Sequence, residues 1–145
     1  MMKKLIVFAF LFSFMLVYPQ GKELPQAVEA AFKSKNPGSK FSYYRVDNNL
    51  YYLEFNFKGH LYTSVFNKMG DWIETSEIIS DIEIPKQLKD YINDRFIEAV
   101  ILYCEKVETP DSLFFIRIGL SNKEKFTMIQ CDNKGDNIRI SEDNL

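Results

Sequence analysis

The sequence contains few of the side chains on which most enzymatic chemistry depends. Among its 145 residues there are one histidine, two cysteines and six glycines. One histidine and two cysteines nearly exclude bound metals and histidine-assisted nucleophiles, and the scarcity of glycine argues against a nucleotide loop. A basic excess is also missing, because 18 Lys and Arg stand against 20 Asp and Glu, so no nucleic-acid partner is expected. We therefore expect no catalytic residues, no metal and no cofactor.

Aromatic and apolar side chains are abundant instead. Aromatic residues make up 15% of the chain and hydrophobic residues 46%, with 13 Phe and 8 Tyr. This composition favours a β-sheet over a helical bundle. The length fits one ordinary domain.

Residues 1–20 are typical of a secretory signal peptide. Lys3 and Lys4 precede an apolar stretch at 5–17 that is too short to span a bilayer, which takes about 20 residues. Cleavage is predicted near Gln20 or Gly21, and the alternative is an uncleaved anchor or a buried N-terminal helix. The remaining domain, residues 21–145, is then expected in the periplasm or secreted, without a stable membrane span.

Cys104 and Cys131 form an even pair, so in an exported protein a disulfide between them has to be considered. Both lie in predicted strands, with a third predicted strand between them in sequence. The outer strands of such a meander lie about 9–10 Å apart, which exceeds the roughly 7 Å limit for a disulfide. Two buried thiols are the favoured interpretation and a bridge is the alternative.

After the signal peptide the sequence follows one plan twice. Leu24-Pro25 and Ile84-Pro85 each open a predicted amphipathic helix, and four strand-like runs follow each helix. The helical faces are formed by Val28, Ala31 and Phe32 and by Leu88, Ile92 and Phe96. The strands are predicted at 41–47, 50–57, 60–66, 71–78, 99–107, 112–120, 125–131 and 136–140. Residues 66–73 and 131–138 match at an offset of 65 (131 minus 66), with a turn glycine, Gly70 or Gly135, in each.

Alternation along the strands predicts how the sheet is covered. Tyr51, Leu53 and Phe55 correspond to Phe114, Ile116 and Ile118, whereas the opposite parity is mixed and pairs Glu54 with Arg117. Strands of this kind belong to antiparallel sheets with one face toward water. The sequence thus predicts an α+β fold in which two α-β4 repeats, about 24–79 and 84–140, form one antiparallel sheet of about eight strands with the helices on one face. The inner face of the third strand stays open, because Leu61, Thr63 and Val65 compete with Tyr62, Ser64 and Phe66.

These motifs resemble the PepSY-like family, exported proteins of Bacteroidetes-type bacteria that are also called β-lactamase-inhibitor-like proteins. The resemblance rests on Tyr-x-Glu-Phe at 52–55, on Val-Phe-Asn-x-x-Gly-x-Trp at 65–72 and on Ile84-Pro85, and it covers about 24–140. It implies a tandem α-β4 fold similar to the β-lactamase inhibitor protein, a periplasmic or secreted location, and binding or inhibition of another protein. It supplies no catalytic residues. Cys131 and Asn137 replace the Phe and Trp of the motif in the second copy, which weakens the outward surface of that copy.

Three aromatic residues are the candidate partner-binding site. Parity places Tyr52, Trp72 and Phe115 on the sheet face opposite the helices, where exposed aromatic side chains are typical of protein interfaces. The alternatives are cross-strand pairing that only stabilises the sheet, and coverage by a second copy of the chain.

The other candidates for chemistry have simpler interpretations. His60 is expected to be a solvated turn residue. The segment 132–137 superficially resembles a calcium loop, but Lys134 stands where a ligand is needed, so a hairpin turn is expected. Glu74, Glu77, Asp81 and Glu83 are expected to form a solvated acidic rim.

The sequence therefore predicts a non-enzymatic exported module that recognises or inhibits a protein or peptide through the open sheet face or a free edge strand. The partner is unknown, and a homo-oligomer is possible. The alternative is a periplasmic small-ligand carrier or envelope sensor that holds an apolar ligand between the sheet and its helices. A dry pocket of several hundred Å³ favours the carrier, and a filled core favours the binding module.

Overall fold

The structure is a computed structural model that describes residues 23–122 and 125–144. The predicted signal peptide lies outside the described residues. Within the described part, no helix has the length and apolar character needed to cross a membrane. The elements are α1 (Gln26–Lys35), β1 (Phe41–Asp47), β2 (Leu50–Phe57), β3 (His60–Asn67), β4 (Trp72–Ile78), a short 3₁₀ turn (Asp81–Glu83), α2 (Lys86–Arg95), β5 (Val100–Glu108), β6 (Phe114–Ser121), β7 (Lys125–Asp132) and β8 (Arg139–Asn144).

All eight strands belong to one antiparallel sheet in chain order, from β1 at one edge to β8 at the other. The order helix, four strands, helix, four strands is the one that the sequence predicts, and the α+β fold class is confirmed.

The two helices begin and end with matching hydrogen bonds. The carbonyl of Pro25 accepts from the N–H groups of Val28 and Glu29, and Pro85 does the same for Leu88 and Lys89. Proline suits this position because its fixed φ is compatible with the start of a helix. It lacks an N–H group, but an N–H at this position would have no hydrogen-bond partner within the helix. The N–H of the residue after each helix donates to the carbonyl four residues earlier, Asn36 to Phe32 and Phe96 to Ile92. The helical parts of the two copies therefore correspond at an offset of 60.

Each helix buries its apolar face on its own four strands. The first cluster joins Val28 and Phe32 of α1 to Tyr51, Leu53, Phe55 and Phe66. The second joins Leu88 and Ile92 of α2 to Ile116, Ile118, Leu120 and Ile129, together with Ile79, Ile84 and both cysteines. The inner face of β3 is the one carrying Tyr62, Ser64 and Phe66, because these residues pair with Phe55, Leu53 and Tyr51 of β2.

The β3–β4 and β7–β8 turns are also copies of one another. Asn67 Oδ1 accepts from the N–H groups of Met69 and Asp71, at 2.8 and 3.0 Å. Asp132 Oδ1 accepts from Lys134 and Asp136, both at 2.9 Å. A glycine with a φ of 87° completes each turn. The sequence match between 66–73 and 131–138 therefore corresponds to two turns with the same hydrogen bonds.

The last strand differs from its prediction, since β8 begins at Arg139 and not at Asp136. Asn137 has a φ of 56°, and its side-chain amide donates to Asp132 Oδ2 at 2.9 Å. The turn therefore continues beyond Asp136, and the ladder resumes where Arg139 pairs with Gln130.

Cys104 and Cys131 are free and buried, as favoured from the sequence. Strand β6 lies between them, because Cys104 pairs with Ile118 and Cys131 with Ile116. Burial raises the pKa of the Cys104 thiol from 9.0 to about 12 and that of Cys131 to about 11.

Replacing Gly70 by alanine should destabilise the domain strongly. The added Cβ would lie 2.7 Å from the carbonyl oxygen of Ala27, at a φ that L-residues rarely adopt. Gly38 is the control, because its φ is 81° but nothing lies within 4 Å of the added Cβ, and Glu98 holds the corresponding left-handed position in the second copy. Urea unfolding should show a loss of about 1 kcal/mol for Gly38→Ala and at least about 2 kcal/mol for Gly70→Ala. Equal losses would contradict packing of the turn on α1.

The buried thiols should be unreactive in the folded protein. At about pH 8 a thiol reagent should modify neither cysteine until urea unfolds the chain, and then both. Because the folded pKa values are raised, unfolded thiols ionise first, so stability should fall as the pH rises from 9.0 toward about 11. The Cys104→Ala, Cys131→Ala variant should lose the thiol part of that decline, which begins near pH 9, and keep the part due to Tyr62 and Tyr103, whose pKa values are raised from 10.0. Failure to find two reactive thiols after unfolding without reductant would contradict the free cysteines.

Candidate partner-binding face

The open face is the side of the sheet that points away from α1 and α2. Tyr52 and Phe115 lie on it, as predicted, because they pair with Val65 and Val107 and alternate with residues of the two cores. Both rings are half-buried. The guanidinium of Arg45 stacks 3.8 Å from the Tyr52 ring centroid. That of Arg117 lies 6.0 Å from the Phe115 ring.

The face assignment of Trp72 is wrong. A register shift in the β3–β4 ladder puts Trp72 opposite Phe66, while Glu74 lies opposite Val65. This β-bulge adds one residue to β4 and turns Trp72 to the helix side. There it packs against the first core, its Nε1 donates to Thr75 Oγ1 at 3.0 Å, and Lys35 Nζ lies 3.3 Å from its ring centroid.

A cluster of three charged residues occupies the centre of the open face. Arg117 of β6 donates through both terminal nitrogens to the carboxylate of Glu74 on β4, at 2.6 and 3.2 Å. Its Nε donates to Glu105 of β5 at 2.7 Å. Burial alone would lower the pKa of Arg117, but the hydrogen bonds and charge of the two carboxylates raise it above its ordinary value. We call Glu74, Glu105 and Arg117 the charged cluster.

The charged cluster covers the strand between its outer members. Arg117 and Glu74 are joined across β5, and Val107 and Ser76 beside them are 1% and 4% exposed. Tyr103 adds to this covering: a Cβ on Gly119 would lie 2.3 Å from its ring, so the ring lies directly over the glycine. Burial, followed by the charge of Glu105, raises the pKa of Tyr103. The residues beside the charged cluster on the open face are therefore buried, although the cluster itself is charged.

A groove continues the open face on the Phe115 side. Its volume is about 300 Å³, and it is lined in part by Phe115, Gln130, Asp132 and Arg139. These four residues form two cross-strand pairs, Phe115 with Asp132 and Gln130 with Arg139. One of the predicted aromatic residues thus borders a concave surface.

Sequence reasoning missed the charged cluster. Glu74 was expected in a solvated rim, yet its side chain is only 18% exposed and is bound by Arg117. One signal for the cluster is present in the sequence: alternation along β6 places Arg117 on the open face of the sheet. Two other acids of the predicted rim have partners as well. Glu77 contacts the ring of His60, whereas Glu83 pairs with Lys106 and accepts a hydrogen bond from the N–H of Ser80.

On the helix side, His60 is an exposed residue at the start of β3. Its Nδ1 lies 2.7 Å from Glu77 Oε1. The Tyr62 hydroxyl bonds the same carboxylate, and burial together with that carboxylate raises the pKa of Tyr62. A neighbouring cleft of about 320 Å³ is lined by Phe55, Phe57 and Tyr62, and also by Lys35 and Glu108, which pair at 3.2 Å.

The loop that superficially resembles a calcium site is a hairpin turn, as expected. The carboxylate of Asp132 accepts hydrogen bonds from within the turn. The N–H of Asp136 lowers its pKa most, followed by the side-chain amide of Asn137 and the N–H of Lys134. Across the described residues, no group of His, Cys, Asp and Glu is arranged to hold a metal ion.

Comparisons with known proteins support the fold. No family model matches the chain, and no curated protein matches it closely. Three solved structures are similar: a DUF2874 family protein from Bacteroides uniformis, a proposed periplasmic protein from Bacteroides eggerthii and a BLIP-like protein from Bacteroides fragilis. Their identities are 17%, 18% and 16% and their TM-scores 0.67, 0.65 and 0.62. They cover 81%, 83% and 83% of this chain and 88%, 88% and 86% of their own. The chain therefore shares the fold of these Bacteroides proteins.

Removing the arginine of the charged cluster should destabilise the domain, because the buried carboxylate of Glu105 and the half-buried carboxylate of Glu74 then lack a cation. For Arg117→Met we expect a loss of about 3 kcal/mol in the free energy of unfolding. Arg139→Met is the control, since Arg139 is exposed and forms no ion pair among the described residues, and its loss should stay below about 0.5 kcal/mol. Similar losses for the two variants in urea titrations would contradict a structural charged cluster.

Proposed function

We propose that the protein is an exported, non-enzymatic module that recognises or inhibits a protein or peptide partner through the open face of its sheet. The observation that carries the proposal is the pair of aromatic rings on the open face: Tyr52 and Phe115 are half-buried there, on the same face as the hydrogen-bonded charged cluster. Aromatic anchors around a desolvated centre are the usual energetic core of protein interfaces.

The similar structures support this proposal at the level of fold. One of them is named for its likeness to BLIP and another is proposed to be periplasmic, which agrees with the predicted signal peptide. Fold alone does not carry function, so the partner remains to be found and need not be a β-lactamase.

The packing of the helix side favours recognition of a protein over carriage of an apolar ligand. Both helix–sheet cores are filled by closely packed side chains, including Phe32, which contacts three aromatic rings at 5.2–6.5 Å. The cleft of about 320 Å³ beside them has the Lys35–Glu108 ion pair in its wall. A carrier for an apolar ligand would require an apolar wall instead.

The test is capture from the envelope fraction of the native organism with the purified protein as bait. The double variant Tyr52→Ser, Phe115→Ser should lose at least about tenfold in affinity for the retained partner. Each substitution removes an aromatic anchor that contributes more than about 1 kcal/mol to the free energy of binding.

Tyr91→Ser is the matched control. Tyr91 is also half-buried and also has an arginine near its ring, Arg95 at 5.1 Å, but it lies on α2 and away from the open face. Retention of the partner by the control and loss by the double variant, with both folded by circular dichroism, supports the proposal. Equal retention by all three proteins would overturn it.

A further inference from the structure

The open face of β1–β6 carries more negative than positive charge. On these strands the register places two arginines, Arg45 and Arg117, among the outward residues, and four carboxylates, Asp47, Glu54, Glu74 and Glu105, which gives a net charge of −2. Arg117 is committed to both Glu74 and Glu105. Arg45 is committed to the ring of Tyr52.

Two acids on this face, Asp47 and Glu54, form no ion pair among the described residues, and Glu54 is the more buried of the two. It lies in a row of uncharged residues that runs across the sheet: Tyr43, Thr63, Ser76, Val107 and Phe115. Its side chain is half-buried, and within 23–122 and 125–144 its carboxylate makes no ion pair. Partial burial of an unpaired carboxylate costs free energy, which a cation from outside the chain would recover.

Glu54 also stands where a partner can reach it. Its partner on β3 is Thr63 and its neighbour along β2 on this face is Tyr52, so the carboxylate borders one of the two aromatic anchors. Tyr52 already holds the guanidinium of Arg45 against its ring. A cation from a partner would therefore pair with the carboxylate of Glu54 beside that ring and not with the ring itself.

We propose that the partner presents a basic segment to the open face and that an arginine or lysine side chain of this segment pairs with Glu54. This inference rests on the proposed function and adds the chemistry of the partner. It makes Glu54 a specificity-determining residue of the open face.

The test is an NMR titration of the isotope-labelled protein with a blocked peptide of sequence Gly-Arg-Gly-Arg-Gly and with the same peptide carrying neutral citrulline in place of arginine. The arginine peptide should shift amide signals around Glu54 and Thr63, and the citrulline peptide should not. Glu54→Gln, which keeps the size of the side chain, should weaken binding of the arginine peptide about fivefold.

Glu98→Gln is the matched control, because it removes the same charge from an exposed turn between α2 and β5. It should bind the arginine peptide like the unchanged protein. Equal binding by Glu54→Gln, equal binding of the citrulline peptide, or shifts spread over the whole acidic surface would overturn the basic partner. If the arginine peptide fails while a captured partner still depends on Tyr52 and Phe115, the proposed function stands and this inference falls.

Discussion

The joint between β4 and β5 is the constraint on which the rest of the structure depends. Each helix packs on its own four strands, and among the described residues the two halves share one ladder, in which residues 75–78 of β4 pair with residues 105–108 of β5. On the helix side Lys35 of the first half binds Glu108 of the second, and on the open side Glu74 binds Arg117. A short ladder held by an ion pair on each face fixes how the two halves are set against one another. The charged cluster at the centre of the open face forms across that joint.

The main effect of the charged cluster is to position side chains on the open face and not to add stability. Replacing a buried ion pair with apolar residues is often neutral or stabilising, whereas removing one member is costly. Arg117 therefore constrains what lies beside it: its hydrogen bonds fix Glu74 and Glu105, and the neighbouring Val107 is buried. A face prepared in this way presents a rigid surface to a partner, and rigidity reduces the entropy lost on binding.

Periodicity predicted most of the fold, because the signals it uses are local. Proline at the helix starts, alternation along β2 and β6 and the turn glycines each depend on a few neighbouring residues, and the strand ends predicted for β1 and β2 agree with the structure. The face predicted for Trp72 is wrong because alternation of residue types does not reveal a β-bulge. One extra residue in β4 reverses the parity from that point, and Trp72 then contacts Thr75 and Lys35 on the helix side. The charged cluster needs the strand order, since its members are 43 and 12 residues apart in sequence.

The two faces of the sheet use their aromatic and charged residues for different ends. On the helix side polar groups are satisfied within the fold: Asn36 donates to Ser64, Ser64 and Thr75 share a hydrogen bond at 2.8 Å, and Trp72 donates to Thr75. On the open side the same kinds of residue end in groups that face outward, with Tyr52 and Phe115 half-buried and Glu54 unpaired among the described residues. A fold needs its inner hydrogen bonds closed, whereas a binding surface needs some groups left for a partner. This contrast, more than the number of aromatic residues, separates the face that holds the protein together from the face that we propose meets another molecule.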